Sequence, residues 1–343
     1  MGSGSPSLSP FDKSNVISGE IKEAKGIQFK RFDIVSFPSD HHYAASSKYR
    51  ECFTNQNSEL HKKIMKEWRI LQNGLPESIY VRVFEDRIDL LRAVIVGSSG
   101  TPYHDGLFFF DIALPSDYPR KPPKVHYHSH GLRLNPNLYA SGHVCLSLIN
   151  TWSGSTVEKW NSSSSTILQV LVSIQGLVLN EMPYFNEPGN VPLQKKNPSS
   201  WIDKSLTYNE GVFSLSCKTM LYTIKKPPKG FEGFVSKHFH AREVQILAAI
   251  SAYRHGKEVV GYYQPDGSSS SSSSYSKMIV SAVFQNDMDI LYWDLKKALA
   301  KETMKPENVK GERCLVFSSW HFSLIPGFLK GTYTSVYKCF VHN

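Results

Sequence analysis

The residues most suited to chemistry lie in one irregular stretch, LRLNPNLYASGHVCLSLINTWSG, residues 132–154. Cys145 stands in it among small polar neighbours, Ser141, Gly142, His143 and Ser147, between a strand-rich region and a helical one. Loops carried by a rigid scaffold are where reactive side chains concentrate, and a thiolate there is a nucleophile for acyl transfer or hydrolysis. A free cysteine is also a good buried hydrophobe, so Cys145 alone does not decide between the two. Hydrolysis needs a histidine base and an orienting carboxamide. His143 is close in sequence but is expected to face away from Cys145, and no GxC or CGxC signature accompanies the cysteine.

A second cluster, HYHSH, would place His126, His128 and His130 on one face if the strand continued. Three imidazoles can hold zinc, but no cysteine or carboxylate nearby completes the set. A partly exposed strand end is the preferred reading, and no metal is expected. Cys52, Cys145, Cys217, Cys314 and Cys339 are widely spaced with no CxxC pair, which argues against a zinc ribbon or disulfide framework. Free thiols suit a reducing compartment, so cytoplasm or nucleus is expected.

The elements around Cys145 follow from hydrophobic periodicity. Leu60, Ile64, Trp68 and Leu71 recur at helical spacing, leaving Lys62, Lys63, Lys66 and Arg69 on the remaining surface. Four extended segments follow: IYVRVFE (79–85), DLLRAVIVG (89–97), GLFFFDIALP (106–115) and PKVHYH (123–128). They are rich in β-branched and aromatic residues, and their short connections predict an antiparallel meander. Arg82 and Arg92 interrupt the apolar pattern, which predicts one wet face. A helical stripe (Ile167, Leu168, Leu171, Ile174, Leu177, Val178) comes next, with Ser163 to Ser165 as cap candidates. Further helices are predicted over about 200–225 and 230–256. The fold class is α+β.

The organisation expected along the chain is a disordered segment (1–26), an N-terminal extension docking on the core (27–57) and a main domain (58–225). A C-terminal helix (226–263), a Ser-rich linker (264–276) and a segment without a readable pattern (277–343) complete it. The composition is globular, with 41% hydrophobic residues in 343. A net charge of +9 invites nucleic acid as a partner, but the basic residues are scattered and form no arm, so none is expected. No apolar run is long enough to span a bilayer, and the N-terminus does not read as a signal peptide.

Taken together, SDYPRKPPKVHYHSHGLRLNPNLYASGHVCLSL resembles the catalytic region of the ubiquitin-conjugating enzyme family. Tyr118, Pro119, Lys121, Pro122 and Pro123 match its Tyr-Pro-x-Lys-Pro-Pro motif. Asn135-Pro136-Asn137 matches its His-Pro-Asn tripeptide, and Cys145 follows Asn137 by the family's gap of eight. The resemblance spans about 60–190, with helix and strands in the family's order and Trp160 ahead of the long helix. It implies that Cys145 carries ubiquitin as a thioester and passes it to lysine, with Asn137 stabilising the oxyanion. Glu187, in YFNEPG, is the candidate that orients or deprotonates the lysine, and Asn186 is the neighbour that would substitute. Ubiquitin, protein substrates and the activating enzyme are the implied partners, the last meeting Lys62, Lys63, Lys66 and Arg69. No cofactor is bound, because ATP is consumed by the separate activating enzyme.

Three features depart from the family pattern. Asn135 replaces the histidine that braces the loop. Cys145 and Trp160 are separated by an insertion, LINTWSGSTVEK. Arg120 and Asn161-Ser162-Ser163 stand where a RING-type ligase is usually gripped, which leaves an ordinary RING partner open. These departures resemble the large members, some of which combine conjugating and ligase functions. The alternative is a non-catalytic ubiquitin-binding module of the same fold, although inactive relatives generally lack the cysteine.

Overall fold

Five strands form one sheet in the order β1-β2-β3-β4-β5 in a computed structural model that describes residues 29–36, 38–45, 58–190, 198–263 and 280–303. Strands β2 (Ile79–Phe84), β3 (Arg87–Val96), β4 (Leu107–Ala113) and β5 (Lys124–Tyr127) make the antiparallel meander. The fifth strand, β1 (Phe32–Val35), comes from the N-terminal extension and pairs parallel to β2. Sequence reading missed it because FDIV is too short to carry a period. The segments 1–26 and 264–276 fall outside the described residues, as do Cys52, Cys314 and Cys339.

The sheet's inner face packs on helix α1 (Glu59–Gly74) through Ile64, Trp68 and Leu71, all buried. Ser58 caps α1, its hydroxyl accepting the His61 N–H at 3.1 Å. Helix α2 (Ile167–Ser173), which runs into a π-helical turn at Ile174–Val178, lies on the same core. Its cap is Thr166 rather than Ser163 to Ser165, because Thr166 and Gln169 form a reciprocal capping box. The buried Glu67 of α1 also accepts the Ile167 N–H at 3.0 Å, placing a carboxylate at the positive end of α2.

The outer face of the sheet is not wet, which corrects the reading of Arg82 and Arg92. Arg92 is fully buried and Arg82 nearly so. Helices α3 (Pro198–Lys225), α4 (Glu232–Arg254) and α5 (Ala282–Thr303) build a second core over Val94, Leu107 and Phe109. The helix α5 lies inside the segment in which the sequence had no readable pattern. A residue as large as Arg92 is buried there only because it is paired. Its guanidinium donates to both carboxylate oxygens of Asp111, at 2.7 and 3.0 Å, and to Asp40 at 2.8 Å. Asp40 also accepts the Lys229 N–H at 3.0 Å. The N-terminal extension is thereby joined to the sheet and to the turn before α4. Phe29 adds an apolar contact, its ring 4.8 Å from that of Phe234.

Candidate active site

Cys145 lies on a small hairpin, and the hairpin explains the gap of eight. The Cys145 N–H donates to the Asn137 carbonyl at 2.9 Å, Leu138 bridges Val144, and the Tyr139 N–H donates to the His143 carbonyl at 3.0 Å. A turn closes at Gly142, whose N–H donates to the Tyr139 carbonyl at 2.9 Å. Asn137 and Cys145 therefore stand opposite each other. Gly142 has φ +84°, and a Cβ there would lie 2.1 Å from the His126 ring, so the turn demands glycine on both counts. The hairpin is fastened to β5 by the Tyr127 N–H to Gly142 carbonyl bond at 2.8 Å and a bridge from His126 to His143.

The carboxamide of Asn137 donates through Nδ2 to the Cys145 carbonyl at 2.9 Å. Beneath it, the fully buried Asn135 is the centre of a brace. Its Nδ2 donates to the Tyr103 hydroxyl and the Val178 carbonyl, both at 2.8 Å, while its Oδ1 accepts the Asn137 N–H at 2.8 Å. The departure from histidine at this position leaves the loop tightly held. Asn186 belongs to this brace as well, donating to the Val178 carbonyl at 3.1 Å and to Asn135 Oδ1 at 3.3 Å. It does not stand free on the rim, as a substitute for Glu187 would.

The Cys145 side chain is nearly enclosed, with the residue 4% exposed. Burial pushes its thiol above the ordinary value, while a hydrogen bond from the Tyr139 hydroxyl and the charge of Arg133 pull it back. The expectation that His143 faces away is corrected: side chains two apart on an extended chain share a face. Tyr139 meets the His143 ring edge-on at 5.8 Å. Cys217, the other described cysteine, is fully buried in the second core and its thiol is pushed far up.

Glu187 is exposed and follows a 3-10 turn at Pro183–Asn186. Helix α3 supports this rim. Asn209 donates to the Glu181 carbonyl at 2.9 Å, and Tyr208 meets Tyr184 at 5.6 Å. Burial pushes the Tyr208 hydroxyl above its ordinary value, with the charge of Arg133 pulling it back and that of Glu187 adding to the rise. Tyr139, Arg133 and Tyr208 escaped sequence reading. The period of two around Cys145 would have found Tyr139, but nothing local points to Tyr208.

The basic face of α1 divides. Lys62, Lys66 and Arg69 are exposed, whereas Lys63 leans over the buried Glu67 at 3.5 Å. Arg120 and Asn161-Ser162-Ser163 are exposed. His126 stacks on His42 with ring centroids 3.4 Å apart, His128 lies 3.0 Å from Asp111, and His130 takes a left-handed backbone beyond the end of β5. His126 and His128 lie side by side with ring centroids 6.3 Å apart. Among the described residues no three His, Cys, Asp or Glu side chains are arranged to hold a metal, and no helix is long and apolar enough to cross a membrane.

The family model described as "Ubiquitin-conjugating enzyme" matches residues 63–214. "Probable ubiquitin-conjugating enzyme E2 26" of Arabidopsis thaliana is 53% identical over 251 residues, covering 73% of this chain and 45% of that protein. "Putative ubiquitin-conjugating enzyme E2 39" of the same plant is 52% identical over 256 residues, covering 72% and 76%. "Dual E2 ubiquitin-conjugating enzyme/E3 ubiquitin-protein ligase BIRC6" of Homo sapiens is 37% identical over 240 residues, covering 65% and 5%. The chain spans less than half the length of several curated relatives it matches.

Proposed function

Because the chain belongs to the ubiquitin-conjugating enzyme family, we propose that it accepts activated ubiquitin as a thioester on Cys145 and transfers it to lysine. The observation that carries this reading is the pairing of Asn137 and Cys145 across the hairpin. It bonds a carboxamide to the backbone of the residue whose thiol, unlike that of Cys217, belongs to neither hydrophobic cluster.

In the first step the Cys145 thiolate attacks the thioester carbonyl presented by the activating enzyme. One C–S bond forms, the other breaks, and the departing thiolate takes the proton. In the second step a lysine amine attacks the new thioester, a C–N bond replaces the C–S bond, and Cys145 leaves as thiolate. The tetrahedral oxyanion takes the second N–H of Asn137 Nδ2, whose first is held by the Cys145 carbonyl. Glu187, at the exposed rim, attracts the ammonium and receives its proton directly or through water. No resident cofactor takes part, and ATP is consumed by the activating enzyme.

The activating enzyme is assigned the exposed face of Lys62, Lys66 and Arg69, with Lys63 contributing less because of Glu67. The exposed charge of Arg120 disfavours a greasy RING contact, and a relative named as a dual conjugating enzyme and ligase supports some substrate selection by the chain itself. Five widely spaced cysteines without a CxxC pair support a reading of cytosol or nucleus.

The test is incubation with ubiquitin, activating enzyme and ATP, followed by non-reducing gels. A thiol-sensitive adduct is expected that is lost in Cys145→Ala and becomes a stable ester in Cys145→Ser. Asn137→Ala is expected to charge but to discharge slowly to lysine. An adduct that survives Cys145→Ala would move the nucleophile to another residue, and no adduct at all would sink the reading in favour of a binding module.

A further inference from the structure

The two peptide planes that flank Cys145 are each held at both ends. On an extended chain the N–H and C=O of one residue point to one edge, and those of its neighbours point to the other. Asn137 takes the first edge. Its carbonyl accepts the Cys145 N–H and its Nδ2 donates to the Cys145 carbonyl, both at 2.9 Å. Thr151 takes the second edge. Its hydroxyl accepts the Leu146 N–H at 2.9 Å and donates to the Val144 carbonyl at 2.7 Å. One side chain thus does there what a paired strand would do. Thr151 reaches back because the 3-10 turn at Ser147–Ile149 ends on Asn150 at φ +58°, a left-handed backbone that asparagine tolerates. The chain beyond is tied in as well. The Ser147 hydroxyl donates to the Ser153 carbonyl at 3.1 Å, and Asn150 Oδ1 accepts the Trp160 N–H at 3.4 Å. The insertion between Cys145 and Trp160 therefore opens with a clamp on the backbone of the cysteine segment.

We propose that Thr151 is a positioning residue for transfer from Cys145: its hydroxyl fixes the peptide planes on either side of the cysteine and so holds the Asn137 carboxamide where it meets the oxyanion. This rests on the reading of Cys145 as nucleophile. The link is the Cys145 carbonyl. It holds the first N–H of Asn137 Nδ2 and lies in one rigid plane with the Leu146 N–H that Thr151 accepts. Without the hydroxyl that plane keeps only its Asn137 end and turns about the flanking Cα atoms, carrying the carboxamide with it. A donor is worth most to the oxyanion when it is placed beforehand, and small misplacements are costly. Thr151 is an exposed residue, so water takes over the two main-chain groups when the hydroxyl is gone. The loss falls on position rather than on stability.

The experiment charges the full chain with ubiquitin, activating enzyme and ATP, then removes ATP, adds free lysine and follows the thiol-sensitive adduct on non-reducing gels. Thr151→Val keeps the shape and loses the hydroxyl. It is expected to charge as the natural chain does and to discharge roughly tenfold more slowly, with Thr151→Ala, which also lacks the hydroxyl, run beside it. Thr151→Ser keeps the hydroxyl and is expected to retain most of the natural rate. Adding Thr151→Val to Asn137→Ala is expected to slow discharge no further than Asn137→Ala alone, because the hydroxyl acts through the carboxamide. Four outcomes would overturn the proposal: Thr151→Val discharging at the natural rate, Thr151→Ser as slow as Thr151→Val, losses that add in the double variant, or a folded Thr151→Val that does not charge. Each is read on a natural chain that does charge, so it leaves the thioester reading standing. A natural chain that takes up no ubiquitin rejects that reading and this proposal with it.

Discussion

Replacing Asn135 with alanine is the perturbation that tests most directly whether the brace under Asn137 holds the site. Asn135 is fully buried and makes three bonds of 2.8 Å, to the Tyr103 hydroxyl, the Val178 carbonyl and the Asn137 N–H. After truncation the Val178 carbonyl keeps Asn186 at 3.1 Å. The Tyr103 hydroxyl and the Asn137 N–H lose their Asn135 bonds. Each buried polar group stranded in this way costs about 1–3 kcal/mol, so a loss of about 4 kcal/mol is expected. Urea unfolding followed by circular dichroism measures it as a lower midpoint at unchanged slope. Two companions sharpen the result. Asn135→Asp keeps the shape but sets a second acceptor against the Val178 carbonyl, so it is expected to lose as much as alanine. Asn135→His, the family's residue, supplies one donor and one acceptor in its neutral form and is expected to lose less. If Asn135→Ala costs under about 1 kcal/mol, or if Asp is tolerated, the hydrogen-bond accounting is wrong.

Other outcomes follow from the same contacts. Asp111→Asn removes the carboxylate that holds Arg92 bidentately and leaves Asp40 as its remaining carboxylate partner, a loss of about 3 kcal/mol in the same unfolding assay. Burial pushes His238 from 6.5 down to about 4, although its ring donates to the Asp105 carbonyl. Its neutral form is the folded one, so the associated stability is complete above pH 6.5 and is lost as pH falls towards 4. That interval corresponds to about 3 kcal/mol, and His238→Gln is expected to flatten this part of the pH–stability curve. Glu187→Gln is expected to leave charging of Cys145 unchanged and to slow discharge to free lysine several-fold, most clearly below the pH at which lysine deprotonates unaided. Equal discharge rates for the two proteins would remove Glu187 from the reaction.

What the sequence determined by itself was everything governed by local period and spacing. The stripe of α1, the four strands of the meander, the helix after Trp160 and the gap of eight between Asn137 and Cys145 are short-range patterns, and each recurs in the fold. Tertiary structure decided what depends on distant partners. Arg92 reads as a wet-face residue until Asp40 and Asp111 arrive from other elements. FDIV becomes a strand only because β2 offers an unpaired edge. Asn135 reads as a weakened brace until Tyr103 and Val178 supply partners 32 and 43 residues away. The rim of the site is likewise shared between hairpin, turn and α3, so Tyr208 had no local signal. Periodicity records which face of an element is apolar, whereas a buried charge or carboxamide is stabilised only by the groups that folding brings to it.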